Sequence, residues 1–306
     1  MNENLFSLME AFPTDDECRK ALEGLRWPDG VTCPRCGGLK HQHDTKRHTY
    51  DCAGCGYQFS VLAGSVFHDT KLPLRKWFVA TYLMCESKKG MSANQLKRTL
   101  GVSYKTAWYL CHRIRAAMGS VAVSQLNGII ETDETFVGGK QRLPGRPGHT
   151  GQAPGYNSLA NKTIVLGALE RGRDVRFRVT GNRRKAAIKT FLDDEVADGA
   201  AAIYTDDFSG YVGVADEDTK HESVNHTAKE YVRGDVHTNG IESVWSLLKR
   251  SIIGSYHQVS AKHLDLYLDE LEWRFNNRDN ARLFPDTLKA LLLAETLEYK
   301  ALVRAE

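Results

Sequence analysis

Residues 128–138 read Gly128-Ile129-Ile130-Glu131-Thr132-Asp133-Glu134-Thr135-Phe136-Val137-Gly138. β-branched and aromatic residues dominate this run and a glycine closes each end, which is the pattern of a strand. Two more strand-like runs follow, Lys162-Thr-Ile-Val-Leu-Gly-Ala-Leu169 and Val175-Arg-Phe-Arg-Val179. Residues 185–196 have helical periodicity. Ala200-Ala-Ala-Ile-Tyr-Thr-Asp206-Asp-Phe-Ser-Gly-Tyr211 then reads as a fourth strand running into a turn.

Three strands, a helix and another strand give the chain order of an RNase H-like α/β fold. Two aspartates, Asp133 and Asp206, stand at the ends of candidate strands. A third element is Val236-His-Thr-Asn239-Gly-Ile-Glu242-Ser-Val-Trp245-Ser-Leu-Leu-Lys249-Arg250. Its apolar stripe is Ile241, Val244, Leu248 and Ile252, and Glu242, Trp245 and Lys249 fall together on another face. Seven residues make about two turns, so Lys249 stands over Glu242. Three convergent carboxylates can hold two Mg²⁺ or Mn²⁺ ions roughly 3.5–4 Å apart for phosphodiester chemistry. Alternatives remain at each position. A strand-end aspartate is commonly a cap or turn residue, Glu131 shares a strand face with Asp133, and Glu134 points the other way. Asp207 competes with Asp206, and Asn239 with Glu242.

Upstream, residues 70–120 hold ten Lys or Arg and one acid, Glu86, although the whole chain carries only +3. Such a basic segment on a slightly acidic body suits a polyanion-binding module. Residues 74–84 form an amphipathic helix. Ser92 caps a second helix, Gly101 breaks it, and Ser103 caps a third that runs to about Met118, which matches a helix-turn-helix. Lys97, Arg98, Tyr104, Lys105, Tyr109, His112, Arg113 and Arg115, together with Arg250 farther on, are the candidate DNA contacts. The last helix would bury Ala107, Leu110, Cys111 and Ile114. The competing reading is a helical hairpin with a solvated basic face.

Further upstream, Cys33-Pro-Arg-Cys36 and Cys52-Ala-Gly-Cys55 have the C-x2-C…C-x2-C spacing of a structural Zn²⁺ site. Four thiolates close the shell, so this zinc is structural rather than catalytic. Gly37, Gly38 and Gly56 follow the pairs, and the flanking runs 48–52 and 57–61 read as strands of a zinc ribbon. His41, His43 and His48 lie between the knuckles as substitute ligands, while Cys18, Cys85 and Cys111 have no spaced partners.

Apolar residues make up 42% and charged residues 26% of 306, enough for two or three ordinary globular domains. No run approaches the ~18 apolar residues of a membrane span, and residues 1–12 contain no basic region ahead of an apolar stretch. A cytoplasmic protein without a membrane partner or disulfide framework is expected. Residues 140–161, rich in Gly, Pro, Arg and His, read as a long loop, and the apolar helix 264–275 is expected to pack on the sheet.

The ordered set of motifs resembles the zinc-ribbon DDE transposases of prokaryotic insertion sequences, the ISXO2-like group related to Merlin elements. The resemblance spans about residues 27–277. It rests on Cys33-Pro-Arg-Cys-Gly37, Phe59-Ser-Val-Leu-Ala-Gly-Ser-Val-Phe67, Leu72-Pro-Leu-Arg-Lys-Trp77, Glu131-Thr-Asp-Glu-Thr-Phe-Val-Gly-Gly139, Thr205-Asp206 and 237–250. It implies catalytic acids at Asp133, Asp206 and Glu242, with Lys249 as the associated basic residue near DNA phosphate. Some relatives use Asn in the third role, which leaves Asn239 open. It further implies binding of double-stranded DNA at terminal inverted repeats and at target sites. Metal-dependent cleavage and strand transfer by a homodimer or larger synaptic assembly, associated with the nucleoid, would follow. The expected organisation is an N-terminal region with the ribbon (1–69), a helix-turn-helix (70–120), an RNase H-like catalytic domain (127–280) and a C-terminal helix (281–306). A domesticated DNA-binding regulator and a nuclease without strand transfer are the rival readings.

Overall fold

The computed structural model describes residues 4–138, 162–225 and 228–304. The chain divides into two compact units, one of Met1–Ala122 with Asp269–Glu306, the other of Val123–Leu268.

The first unit opens with α1 (Leu5–Ala11) and α2 (Asp15–Arg26). Asn4 and Thr14 cap them by accepting from first-turn N–H groups. Neither helix was anticipated from the sequence. The strands β1 (His41–Asp44), β2 (Thr49–Cys52) and β3 (Gln58–Phe59) form an antiparallel sheet in that order. Then come α3 (Leu74–Glu86), α4 (Ala93–Leu100) and α5 (Tyr104–Gly119). Ser92 and Ser103 cap the last two as expected, accepting from the amides of Gln95 and Thr106 at 3.2 and 3.1 Å. Gly101 ends α4 at φ +61°, a left-handed conformation that costs glycine little. Leu96, Leu110, Ile114 and Trp77 lie in one buried cluster with Cys85 and Cys111, which are core residues and not ligands.

The second unit is built on β4 (Ile129–Val137), β5 (Thr163–Glu170) and β6 (Val175–Thr180), then α6 (Lys185–Glu195), β7 (Ala202–Asp206), β8 (His221–Val224) and α7 (Asn239–Ser251). The sheet order is β6-β5-β4-β7-β8. β4, β5 and β6 pair with one another antiparallel, and β7 runs parallel to β4 and β8. This is the RNase H-like arrangement, with one strand, β8, more than the sequence suggested. One face packs Ile130, Leu166, Ala168 and Ile203 against Ile188, Phe191 and Leu192 of α6. The other face receives α7, where Gly167 lets the Trp245 indole lie on the sheet. A Cβ at Gly167 would stand 2.4 Å from Trp245 Cη2.

Next, α8 (Leu264–Asn276) leaves the second unit after Leu268, and α9 (Leu283–Leu293) and α10 (Tyr299–Val303) complete the first. The compact second unit therefore ends inside this helix, and the expectation that the whole of 264–275 packs on the sheet is corrected. Partners decide it. Glu270 pairs with Arg115 at 2.7 Å, Trp273 Nε1 donates to Thr287 at 2.9 Å, and Arg274 donates to the carbonyl of Lys88 at 2.8 Å. The expected loop 140–161 lies outside the described residues. Among the described residues no helix is long and apolar enough to cross a membrane.

Candidate active site and zinc centre

The ribbon brings its four cysteines together. Cys33 Sγ lies 3.7 Å from Cys55 Sγ, and Cys36 Sγ 3.5 Å from Cys52 Sγ. All four sulfurs lie within 4.8 Å of one another. A tetrahedron with Zn–S of ~2.3 Å has sulfur–sulfur edges of about 3.8 Å, so the donor set fits zinc and closes its shell. Each knuckle turns on a glycine at positive φ, Gly37 at +70° and Gly56 at +66°. The amide of each donates to the first cysteine's carbonyl at 2.9 Å. N–H groups of Cys55 and Gly54 hold the Cys52 thiol down, to about 7. The three histidines are engaged elsewhere. His43 stacks on Tyr50 at 4.4 Å, His41 meets the same ring edge-on, and His48 lies 3.5 Å from Asp16.

Two acids of the second unit share one sheet face. Glu131 pairs with Tyr204 in the parallel β4–β7 ladder, so carrying the register two residues onward sets Asp133 beside Asp206. Asp133 also opposes Gly167 across the antiparallel ladder, and Gly167 in turn opposes Phe177. Trp245 from α7 covers that row, donating from Nε1 to Asp133 Oδ2 at 3.0 Å, with its ring tilted against Phe177 at 5.5 Å. Burial pushes the Asp133 carboxyl up, to about 7, and the negative charges of Glu134 and Asp206 add to the shift. Asp206 closes the strand with an Asx turn, Oδ1 accepting from the Phe208 amide at 3.0 Å.

Glu242 and Lys249 are both exposed on α7, whereas Trp245 is buried, 4% exposed. The face assigned to all three from spacing is thus split. Lys249 lies about 20° around the helix from Glu242 but Trp245 about 60°, enough to turn the indole onto the sheet. Glu242 Oε1 accepts from Thr238 Oγ1 at 3.3 Å, and Asn239 is exposed one turn earlier. Among the described residues only the cysteine quartet forms a group of three or more ligating side chains within 4.8 Å. The two aspartates fit a hard divalent cation by their oxygen chemistry and shared face. Glu242 lies outside such a preassembled group.

The competing acids have other work. Glu131, 1% exposed, pairs with Arg171 at 2.7 Å and accepts from the Gly240 amide at 2.7 Å. Glu134 pairs with Arg183 at 2.7 Å and accepts from the Tyr211 hydroxyl at 2.9 Å. That hydroxyl's pKa is driven well above its usual value by burial and by the charges of Glu134 and Asp133. Sequence reasoning missed Trp245 as an Asp133 partner and Glu131 as a helix cap. The signals were a Glu-x-Asp pair on one strand face and the glycine of Asn239-Gly-Ile.

In the first unit, Lys97, Arg98, Tyr104 and Lys105 are exposed around the end of α4 and the start of α5, and Arg250 is exposed on α7. Three expected DNA contacts are corrected. Arg115 is buried in its ion pair with Glu270. Arg113 is 5% exposed, donates to the His68 carbonyl at 2.9 Å and lies over the Trp77 and Tyr109 rings. His112 is fully buried against Trp108. All three sit where α5 meets the core, so none presents its charge to a ligand. Tyr109 is half-buried and donates its hydroxyl to the Leu297 carbonyl.

Comparison with known proteins adds independent findings. Residues 125–276 match the ISXO2-like transposase domain, and residues 13–58 match the transposase zinc-ribbon domain. A protein of Halobacterium salinarum, described as an uncharacterized protein in transposable element ISH50, is 29% identical over 276 residues. That alignment covers 87% of this chain and 92% of the relative. An uncharacterized transposase-like protein of Haemophilus influenzae is 29% identical over 101 residues, covering 33% of this chain and 80% of the relative. The crystal structure of a pre-cleavage Mos1 transpososome aligns with 72% of this chain and 80% of its own at 12% identity. Its TM-score of 0.28 is too low to equate the two folds.

Proposed function

The chain belongs to the ISXO2-like transposase family, and for this insertion-sequence transposase we propose a division of labour between the two units. The first unit binds the element's terminal inverted repeats as double-stranded DNA. Its ribbon and the exposed Lys97, Arg98, Tyr104 and Lys105 make the contacts. The second unit cleaves phosphodiesters and transfers strands, with Asp133, Asp206 and Glu242 as the acids and Asn239 as the alternative third ligand. The carrying observation is that Asp133 and Asp206 lie on adjacent parallel strands, on one face, under the helix that bears Glu242. The protein acts in the cytoplasm at the nucleoid, as a homodimer or larger synaptic assembly.

Asp133 must be ionised to ligate, and burial with the charges of Glu134 and Asp206 raises its pKa, a penalty that a bound cation would offset. When bound there, Mg²⁺ or Mn²⁺ supplies a lowered pKa for the attacking water or 3′-hydroxyl and a counter-charge for the leaving oxygen. The Trp245 N–H donates to Oδ2 of Asp133 and orients the carboxylate for ligation. Lys249 and Arg250, exposed on the outer side of α7, meet DNA phosphate.

A supercoiled plasmid carrying the element's ends, incubated with the protein and Mg²⁺, tests this. Joined products are expected, and Asp133→Ala and Asp206→Ala should abolish cleavage while end binding persists. No cleavage by the wild-type protein would overturn the enzymatic reading in favour of a regulator. Nicking without joining would reduce it to a nuclease.

A further inference from the structure

Glu131 is a heavily engaged, buried carboxylate of the second unit. Its Oε2 accepts from two first-turn amides of α7, Gly240 at 2.7 Å and Ile241 at 3.1 Å. Its Oε1 receives Arg171 Nε at 2.7 Å and lies 3.3 Å from His237 Nδ1. The same guanidinium donates from its other arm to the His237 carbonyl at 3.0 Å, just ahead of the helix. Thr238, at the N-cap position, makes no side-chain capping bond. The orphan amides of α7 are therefore satisfied from the sheet and not by a local cap, with the helix dipole favouring the negative charge.

Gly240 makes this approach feasible. A Cβ there would stand 2.8 Å from Glu131 Oε2 and 2.7 Å from Leu169 Cδ2. The helix start thus rests directly on β4 and β5. A second pin lies farther along, where the Trp245 indole meets Asp133. Glu131 and Asp133 are two residues apart on one strand face, while Gly240 and Trp245 are five apart on the helix. Glu242 lies between the two pins. Together they set both the axial position and the rotation of α7 relative to the strand acids. A Ser or Asp cap at 238 would satisfy the same amides but would not tie the helix to the strand that carries Asp133.

We propose that Glu131, braced by Arg171, is a positioning residue that registers the third metal ligand on α7 against Asp133 and Asp206. This rests on the metal-binding reading above, and the test separates the two. Mn²⁺ binding to the zinc-loaded full chain is measured by electron paramagnetic resonance, independently of any activity. Asp133→Asn should abolish the second unit's Mn²⁺ site; unchanged binding would overturn the metal reading itself. With that control satisfied, Glu131→Gln should weaken Mn²⁺ binding roughly tenfold, the lower end of the ~10–100-fold typical when a ligand-orienting partner is removed. The deciding readout is a double-mutant cycle. If Glu131 acts through the third ligand, Glu131→Gln costs nothing further in the background that lacks it, either Glu242→Gln or Asn239→Ala. Wild-type affinity in Glu131→Gln, or losses that add in full in both backgrounds, would overturn the proposal, because general loosening of the fold is additive. Gly240→Ala approaches the same contact from the helix side with every charge intact. It must show the same loss and the same non-additivity, and it carries the test if Glu131→Gln fails to fold.

Discussion

Replacing Asp133 with Asn should destroy cleavage yet stabilise the second unit in magnesium-free solution. Burial first, then the charges of Glu134 and Asp206, lift this carboxyl from 3.8 to about 7. At 1.36 kcal/mol per pKa unit, that gap corresponds to about 4 kcal/mol as an upper limit. Asp133 is only partly buried, so solvent screening brings the working expectation to about 2 kcal/mol. The sign follows from proton uptake. Below pH 3.8 both folded and unfolded chains hold the proton, and Asp and Asn are equivalent. Between 3.8 and about 7 the unfolded chain releases its proton first, so the wild-type protein loses stability as pH rises. Above about 7 the full penalty is in place. Asparagine retains an acceptor for the Trp245 N–H and carries no charge to repel Asp206. In a domain of this size about 2 kcal/mol is a shift of roughly 4–8 °C in Tm. Thermal melts of wild type and Asp133→Asn at pH 5.5 and pH 8, without chelator so that the ribbon keeps its zinc, read the gap directly. It should widen at pH 8 and narrow when Mg²⁺ is added, because the cation binds the folded wild type. A variant no more stable than wild type at pH 8, or a gap independent of pH, would refute the electrostatic argument.

Other outcomes follow from the packing and the surface charges. Glu270→Ala leaves Arg115, 2% exposed, as an uncompensated buried charge and should cost about 3–5 kcal/mol in urea unfolding of the first unit. By contrast, Lys97→Ala with Arg98→Ala should leave the melt unchanged while weakening end binding. The slope of log K against log salt should become shallower by up to ~0.9 for each DNA phosphate no longer neutralised. Cys36→Ser opens the thiolate shell, so metal analysis should find the zinc gone and circular dichroism the ribbon unfolded, with end binding weakened. Gly167→Ala drives a methyl group into Trp245 and should destabilise the second unit by about 1–3 kcal/mol, read by thermal melting together with a changed indole emission.

Local rules and spacing carried much of this molecule. The C-x2-C pairs announced the zinc knuckles, because a turn closed by two thiolates is specified within a few residues. Ser92, Gly101 and Ser103 delimited α4 and α5 within a residue or so, since capping is a local hydrogen bond. Strand, helix and strand order yielded the sheet that sets Asp133 beside Asp206. Spacing failed where burial decides the role. Arg113 and Arg115 look like any basic residues on a helix, and only the folded core, with Glu270 arriving from 155 positions away, turns Arg115 into a buried ion pair. Glu131 and Asp133 are indistinguishable in a strand pattern. Their roles separate when α7, more than a hundred residues later, places amides against one and an indole against the other. Short-range periodicity and caps are written in neighbouring residues, so the chain alone determined α3 to α7, β4 to β7 and its zinc knuckles, but not α1, α2 or β8. Which strand acid is tied to helix amides and which to an indole depends on contacts between distant segments, and that only the tertiary structure decided.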